Sequence, residues 1–223
     1  MFVGVDGYKK GWVAVAISSD GFIEASVFSD FAALMNELSA AKVIAVDMPL
    51  GLVEKGDRDA DQAARDFLKG QSSSVFNSPP RPLLAAKDYE AANKISRRIS
   101  GKAISKQTFN IVDKIIQVDA FATEEKLYEV HPEISFRLLN AAEPLRGRKK
   151  EWGGLQHRLE LLKAAGIALP GDLGAANHVG IDDVVDAAAA AWSARRIAAG
   201  EARTFPEDAR QCDKSGRRIA MWA

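Results

Sequence analysis

The sequence predicts an α/β fold in which a mixed five-stranded sheet, three antiparallel strands followed by parallel ones, is flanked by helices and interrupted by a helical insertion at about 56–121. Three observations predict it. The first 28 residues are rich in Val, Ile and Phe and are broken by turn signals. A lone apolar run, Val43-Ile44-Ala45-Val46-Asp47, reads as a buried parallel strand. An Ala-rich stretch from about Ile181 to Ala199 reads as a long helix. With 223 residues, 47% hydrophobic and 27% charged, the chain can bury a real core, and a single domain over 1–223 with one sizeable insertion is the simplest organisation.

The opening meander divides into Phe2 to Asp6, Trp12 to Ser18 and Phe22 to Phe28, with Asp20-Gly21 as a strong hairpin signal. Ser29 or Asp30 offers an N-cap. Phe31, Leu34, Met35 and Leu38 then recur at helical spacing, so a helix over Asp30 to Leu38 follows the meander. The next strand, Val43 to Asp47, is stopped by Met48-Pro49-Leu50-Gly51. The insertion reads as helices over Asp57 to Leu68, Ala86 to Ile99 and Ser105 to Val118, with a turn-rich loop containing three prolines over Ser72 to Pro82. Leu127 to His131 reads as the fifth strand, and Pro132 suits the first position of a helix through Leu139. An amphipathic helix over Gly154 to Ala165 precedes the Ala-rich one. Three antiparallel strands, a helix, a fourth strand, later a fifth, and a helix returning to the sheet make an order that resembles the RNase H-like fold.

The only cysteine, Cys212, cannot form an internal disulfide, and Met1 is not followed by the basic, apolar and cleavable segments of a secretion signal. The longest apolar stretch, Ala187 to Trp192, is far short of the roughly 20 residues a bilayer span needs. A cytoplasmic protein with no membrane association is therefore expected. Thirty basic residues cancel thirty acidic ones, so no global positive field is present. The balance is locally uneven. Lys87 to Val118 carries seven basic residues against three acidic, and Arg146 to Lys163 carries six against two. Either run is a solvated helix face or a surface that meets a polyanion.

The chemistry concentrates in carboxylates from distant segments. Asp6 and Asp47 each end an apolar strand, and in this topology those strands are central neighbours. Asp183 and Asp186 lie three apart on the last helix, hence on one face. The alanines that follow Asp186 let that helix approach the sheet closely. Like charges crowded into a half-buried site are costly unless a cation neutralises them, and an oxygen-only donor set suits Mg²⁺ or Mn²⁺. Asp6, Asp47, Asp183 and Asp186 are therefore the candidate metal ligands. For Asp183 the alternative is simple complementation of the helix dipole. Glu129 and His131, two apart on one strand, share a face; Glu129 is expected to join the cluster, with His131 as a proton shuttle or substrate contact. Glu133 is explained by its first-turn helix position. Arg58, Arg65, Arg81 and Lys106 in the insertion are the remaining candidate substrate contacts, although Arg58 and Arg65 lie on one helix face with Asp61 and could simply pair with it.

Gly4-Val5-Asp6-Gly7 with Gly11-Trp12, Asp47-Met48-Pro49-Leu50-Gly51, Arg58 with Asp61 and Arg65, Ser74-Val75-Phe76 with Pro79 and Arg81, Glu129-Val130-His131-Pro132-Glu133, and Asp182-Asp183-Val184-Val185-Asp186-Ala187 together resemble the domain-of-unknown-function 429 family. The resemblance spans nearly the whole chain and implies an RNase H-like nuclease. The acidic pattern is also similar to that of Holliday-junction resolvases. The chain departs from ribonuclease H proper in carrying Asp47 where a longer Glu is usual, which leaves one or two bound ions open.

These readings lead to one expectation: a metal-dependent nuclease or phosphodiesterase in which Asp6, Asp47, Glu129, Asp183 and Asp186 form the catalytic cluster and a nucleic acid or another phosphoester is the substrate. Two rivals stand beside it. One is a non-catalytic RNase H-like binding module. The other is an ATP-dependent phosphotransferase of the actin-like superfamily, whose members generally need two such domains. The oligomeric state is left open, a dimer included.

Overall fold

Alternation of apolar residues makes β1 (Phe2–Tyr8) and β2 (Gly11–Ile17) the centre of the structure. Every residue of β2 is buried, as a strand covered on both faces requires. β2 pairs antiparallel with β1 and with β3 (Phe22–Phe28), while β4 (Val43–Val46) runs parallel to β1 and β5 (Leu127–Glu129) parallel to β4. The result is the mixed five-stranded sheet anticipated, in the order β3-β2-β1-β4-β5. The structure is a computed structural model that describes all 223 residues.

Eight α-helices accompany the sheet. α1 (Phe31–Glu37) is capped by Asp30, whose carboxylate accepts the Ala33 amide at 2.8 Å. Its Phe31 ring meets Trp12 edge-on at 4.9 Å, on one face of the sheet. The opposite face is covered by α8 (Ile181–Ala199), where every residue from Val184 to Ala194 is buried. α6 (Pro132–Leu139) and α7 (Trp152–Ala164) join α8 in a core with Val13, Val15 and Ile17. A buried contact between Ser135 Oγ and Ser193 Oγ, 2.8 Å apart, links α6 to α8.

The chain divides into two compact units. One comprises Met1–Met48, Glu125–Arg203 and Trp222–Ala223; the other comprises Pro49–Glu124 and Thr204–Met221. The second unit holds α2 (Asp59–Phe67), α3 (Tyr89–Ser100), α4 (Lys106–Asn110) and α5 (Val112–Asp119), with Leu83, Ala92, Ile104 and Val112 forming a small core. The helix expected over Ser105 to Val118 is thus two helices that break at Ile111. The second unit is also larger than the expected insertion, because the polar tail packs into it: Phe205 meets Phe67 at 4.9 Å, and Gln211 Oε1 accepts the Asp59 amide at 3.0 Å. The tail forms two short strands that periodicity did not predict, β6 (Thr204–Phe205) and β7 (Met221–Trp222). No helix is long and apolar enough to cross a membrane.

The small residues of α8 have a specific partner in β1. A Cβ added to Gly4 would lie 2.0 Å from the Ala191 amide nitrogen and 2.1 Å from the Ala187 carbonyl oxygen. Backbone meets backbone at this crossing, so nothing can give way. Gly4→Ala is expected to destabilise the protein by about 3 kcal/mol or more, or to prevent folding. Gly171→Ala, at a position with open space around the added atom, should be close to neutral. Urea unfolding of the two variants checks this.

Candidate functional site

The close crossing at Gly4 fixes what lies one step farther along each element. Gly4 faces α8, so Asp6, two residues on in β1, faces it too. Ala45 packs on Ala190 and Ala194 of α8, and Asp47, two residues beyond Ala45, extends that same face. Val5 pairs with Val46 in parallel register, and the Asp47 amide donates to the Val5 carbonyl at 2.9 Å, so Asp6 and Asp47 stand side by side where β4 ends. β1 itself continues to Tyr8, paired with β2; Asp6 thus sits where the strand loses one partner rather than at its own end. On α8, Asp186 precedes Ala187 by one residue and is 2% exposed, with Asp183 one turn nearer the helix N-terminus.

The electrostatics record this convergence. Burial first, then the charges of Asp47, Asp186 and Asp183, hold Asp6 well above the usual carboxylate range. Burial also raises Asp47, opposed by His131 and Lys149 and assisted by Glu133. Asp186 is pushed up to about 7, chiefly by burial, with Lys149 opposing. Asp6 Oδ1 accepts the Gly7 amide at 2.6 Å, and Asp186 Oδ2 accepts Lys149 Nζ at 2.5 Å. Asp186 Oδ1 is buried with no hydrogen-bond donor at all.

Lys149 is the residue that sequence reasoning missed as a member of the site. It comes from the loop between α6 and α7, where two left-handed alanines, Ala141 (φ 54°) and Ala142 (φ 65°), turn the chain out of α6. Although burial works against its charge, Asp186 outweighs that cost with help from Asp6 and Asp47, and the ammonium is held above its ordinary range. One ammonium cannot neutralise three buried carboxylates. Asp6, which has only a backbone donor, is the one that retains a proton.

Glu129 does not join the cluster. It is in register with Val46, whose neighbour Ala45 faces α8, so Glu129 points to the other face of the sheet. The strand ends there, and His131, as the N-cap residue of α6, is released from strand alternation and reaches the electrostatic neighbourhood of Asp47. Glu133 takes the place expected of Glu129. Its charge is felt at Asp47 and Asp186, and its two oxygens each accept Arg158 Nη2 at 2.8 Å. Arg158, 1% exposed, also donates to the Gly154 carbonyl at 3.1 Å, tying α6 to the start of α7.

The four candidates from the insertion lie in the second unit. Arg58 is buried, donates to Ser78 Oγ at 2.7 Å and pairs with Asp61 at 3.4 Å. Arg65 binds the Val75 carbonyl and Asn77 rather than Asp61. Arg81 makes a bidentate pair with Asp119, both bonds 2.8 Å. These three cations pin the proline-rich loop to its surrounding helices. Lys106, the first residue of α4, is exposed.

Asp6, Asp47 and Asp186 are the residues that could hold a divalent cation, with Asp183 at their edge. No three His, Cys, Asp or Glu side chains are gathered closely enough to enclose an ion by themselves.

The raised carboxyls give a signed pH dependence. Between the ordinary value of 3.8 and about 7 the native state binds more protons at Asp186 than the unfolded chain does. Stability from this source is therefore present at low pH and lost as pH rises through that window; Asp6 acts in the same sense. In chelator, the wild type should lose stability between pH 5 and pH 8 more steeply than Asp6→Asn, which is fixed in the neutral form. Urea unfolding across that range checks it; parallel slopes would contradict it.

No curated protein and no solved structure matches the chain. A family model does match, over residues 4–211, which include Asp6, Asp47 and the whole of the cluster on α8. The chain therefore belongs to the family described as Protein of unknown function (DUF429).

Proposed function

We propose that this protein hydrolyses phosphodiester bonds with a divalent cation, Mg²⁺ or Mn²⁺, held by Asp6, Asp47 and Asp186. The observation that carries the reading is the convergence of three buried carboxylates from β1, the end of β4 and α8 on one point, with Asp186 Oδ1 left without a donor. Burying such a group without a partner is costly, and a cation is what would satisfy it. The donor set supports the choice of ion. All the donors are carboxylate oxygens, and Mg²⁺ is commonly held by one or two carboxylates while waters and substrate phosphates complete its shell. A closed protein cage is not required. The sheet order and the acidic pattern also fit the RNase H-like nucleases that the sequence resembles.

When bound, the cation polarises the phosphoryl group and activates water for attack. The chain's own residues do the rest. Asp47 and Asp186 orient the ion from two rigid elements. Asp6, which holds a proton in the ion-free site, gives it up when a second positive charge arrives. Lys149, whose side chain is 37% exposed, balances the charge of the empty pocket and can swing out toward a phosphate oxygen when the ion enters. His131, beside Asp47, is placed to accept a proton from the attacking water.

The Lys149–Asp186 pair favours a second reading, in which the ammonium is the permanent counter-ion and the protein is a binding module without a divalent ion. Purified protein offered single strands, duplexes, hybrids and branched junctions with Mn²⁺ or Mg²⁺ separates the two. On the hydrolase reading, cleavage depends on the ion and falls at least ~100-fold in Asp47→Ala. Activity that survives the substitution removes these carboxylates from the chemistry. A melting temperature that Mn²⁺ raises in the wild type but not in Asp186→Asn supports the ion site directly; no response in either favours the binding module.

A further inference from the structure

We infer that the loop Arg146–Trp152 is a landing site for an unpaired stretch of nucleic acid, with Trp152 stacking on a base and Arg146 and Arg148 pairing with phosphates. This rests on the phosphodiester reading and narrows its substrate to a single-stranded segment.

Trp152 is 75% exposed, far more than any other large apolar side chain. The other tryptophans are engaged: Trp12 with Phe31, Trp192 beneath Arg196, and Trp222 with Tyr128. A wholly exposed indole contributes nothing to the core, and it stands directly after a run of four cations in five residues, Arg146, Arg148, Lys149 and Lys150. An aromatic face beside a positive track is what sequence-tolerant single-strand binding requires, because every unpaired base has a face to stack. In a duplex those faces are already stacked on one another.

The loop is built rather than loose. The Arg146 amide donates to His157 Nδ1 at 3.2 Å and the Arg148 amide to Glu151 Oε2 at 3.1 Å. Gly147 takes a left-handed turn (φ 67°), and Gly154 packs so closely beneath it that an added Cβ would lie 2.0 Å from the Arg148 carbonyl oxygen. The backbone turns inward while the Arg146 and Arg148 guanidinium groups face solvent without an acidic partner. Little entropy remains to be lost when a strand binds.

The same loop reaches the acidic pocket. Lys149 enters it to meet Asp186 at 2.5 Å, and Lys150 lies 3.6 Å from Asp182 at the start of α8. A strand held by Trp152, Arg146 and Arg148 would therefore run past the carboxylates. Without those cations, a phosphodiester would be repelled from a cluster of buried acids.

Fluorescence anisotropy of a labelled oligothymidylate and of a duplex of equal length, in chelator so that no cleavage occurs, tests this with full-length protein. The wild type should bind the single strand more tightly than the duplex. Trp152→Ala should weaken single-strand binding roughly 10-fold with little change in its salt dependence. Arg146→Ala with Arg148→Ala should reduce the slope of log K against log salt by about one. Trp152→Ala binding as tightly as the wild type overturns the inference, as does a preference for duplex or binding only to anionic lipid vesicles. If binding depends on Trp152 while cleavage survives Asp47→Ala, the landing site stands and the hydrolase reading falls. If cleavage needs Asp47 but binding ignores Trp152, the reverse holds.

Discussion

The contact between the backbones of β1 and α8 at Gly4 is the constraint on which the rest of the structure depends. A sheet and a helix separated by ordinary side chains would keep short carboxylates on the two elements apart. Here glycine on one side and alanines on the other remove that spacer, with Ala187, Ala190 and Ala191 lying against Gly4. Asp6, two residues beyond Gly4, and Asp186, one residue before Ala187, are short side chains that come together only because their backbones already touch. Parallel register then adds Asp47 beside Asp6.

The convergence creates an electrostatic problem that the loop after α6 partly answers. Three buried acids repel one another, and the ammonium of Lys149 offsets one charge. The loop that delivers Lys149 is itself secured by Glu133 and Arg158, whose bidentate pair joins α6 to α7. Glu133 therefore has two roles. It anchors the arm that carries the cation, and it adds its own negative potential to Asp47 and Asp186. An ion of higher charge entering the pocket would relieve repulsion that one lysine leaves in place.

Much of this was legible in the sequence. Short-period alternation exposed the meander, the continuous apolar run of β4 and the helical α8, and strand order followed from them. Asp6, Asp47 and Asp186 were legible because each adjoins a strongly patterned element, so its face could be counted from its neighbours. Glu129 was misplaced because the face of a three-residue strand is decided by its register with β4, which no local pattern records. Lys149 escaped for a related reason. Its basic run was visible, but the destination of one lysine is set by a left-handed glycine, a tight packing contact and an ion pair, all of them tertiary. Packing of the tail into the second unit was likewise invisible, since contacts such as Phe205 with Phe67 span long stretches of chain.

The central claim, that buried acids converge in order to receive a divalent ion, is tested most directly by crystals soaked in Mn²⁺ and measured for anomalous scattering. The account predicts a peak among Asp6, Asp47 and Asp186, within bonding distance of the bare Asp186 Oδ1, and Lys149 swung away from the carboxylate. Density free of any such peak, with Lys149 still on Asp186 at high Mn²⁺, would contradict it.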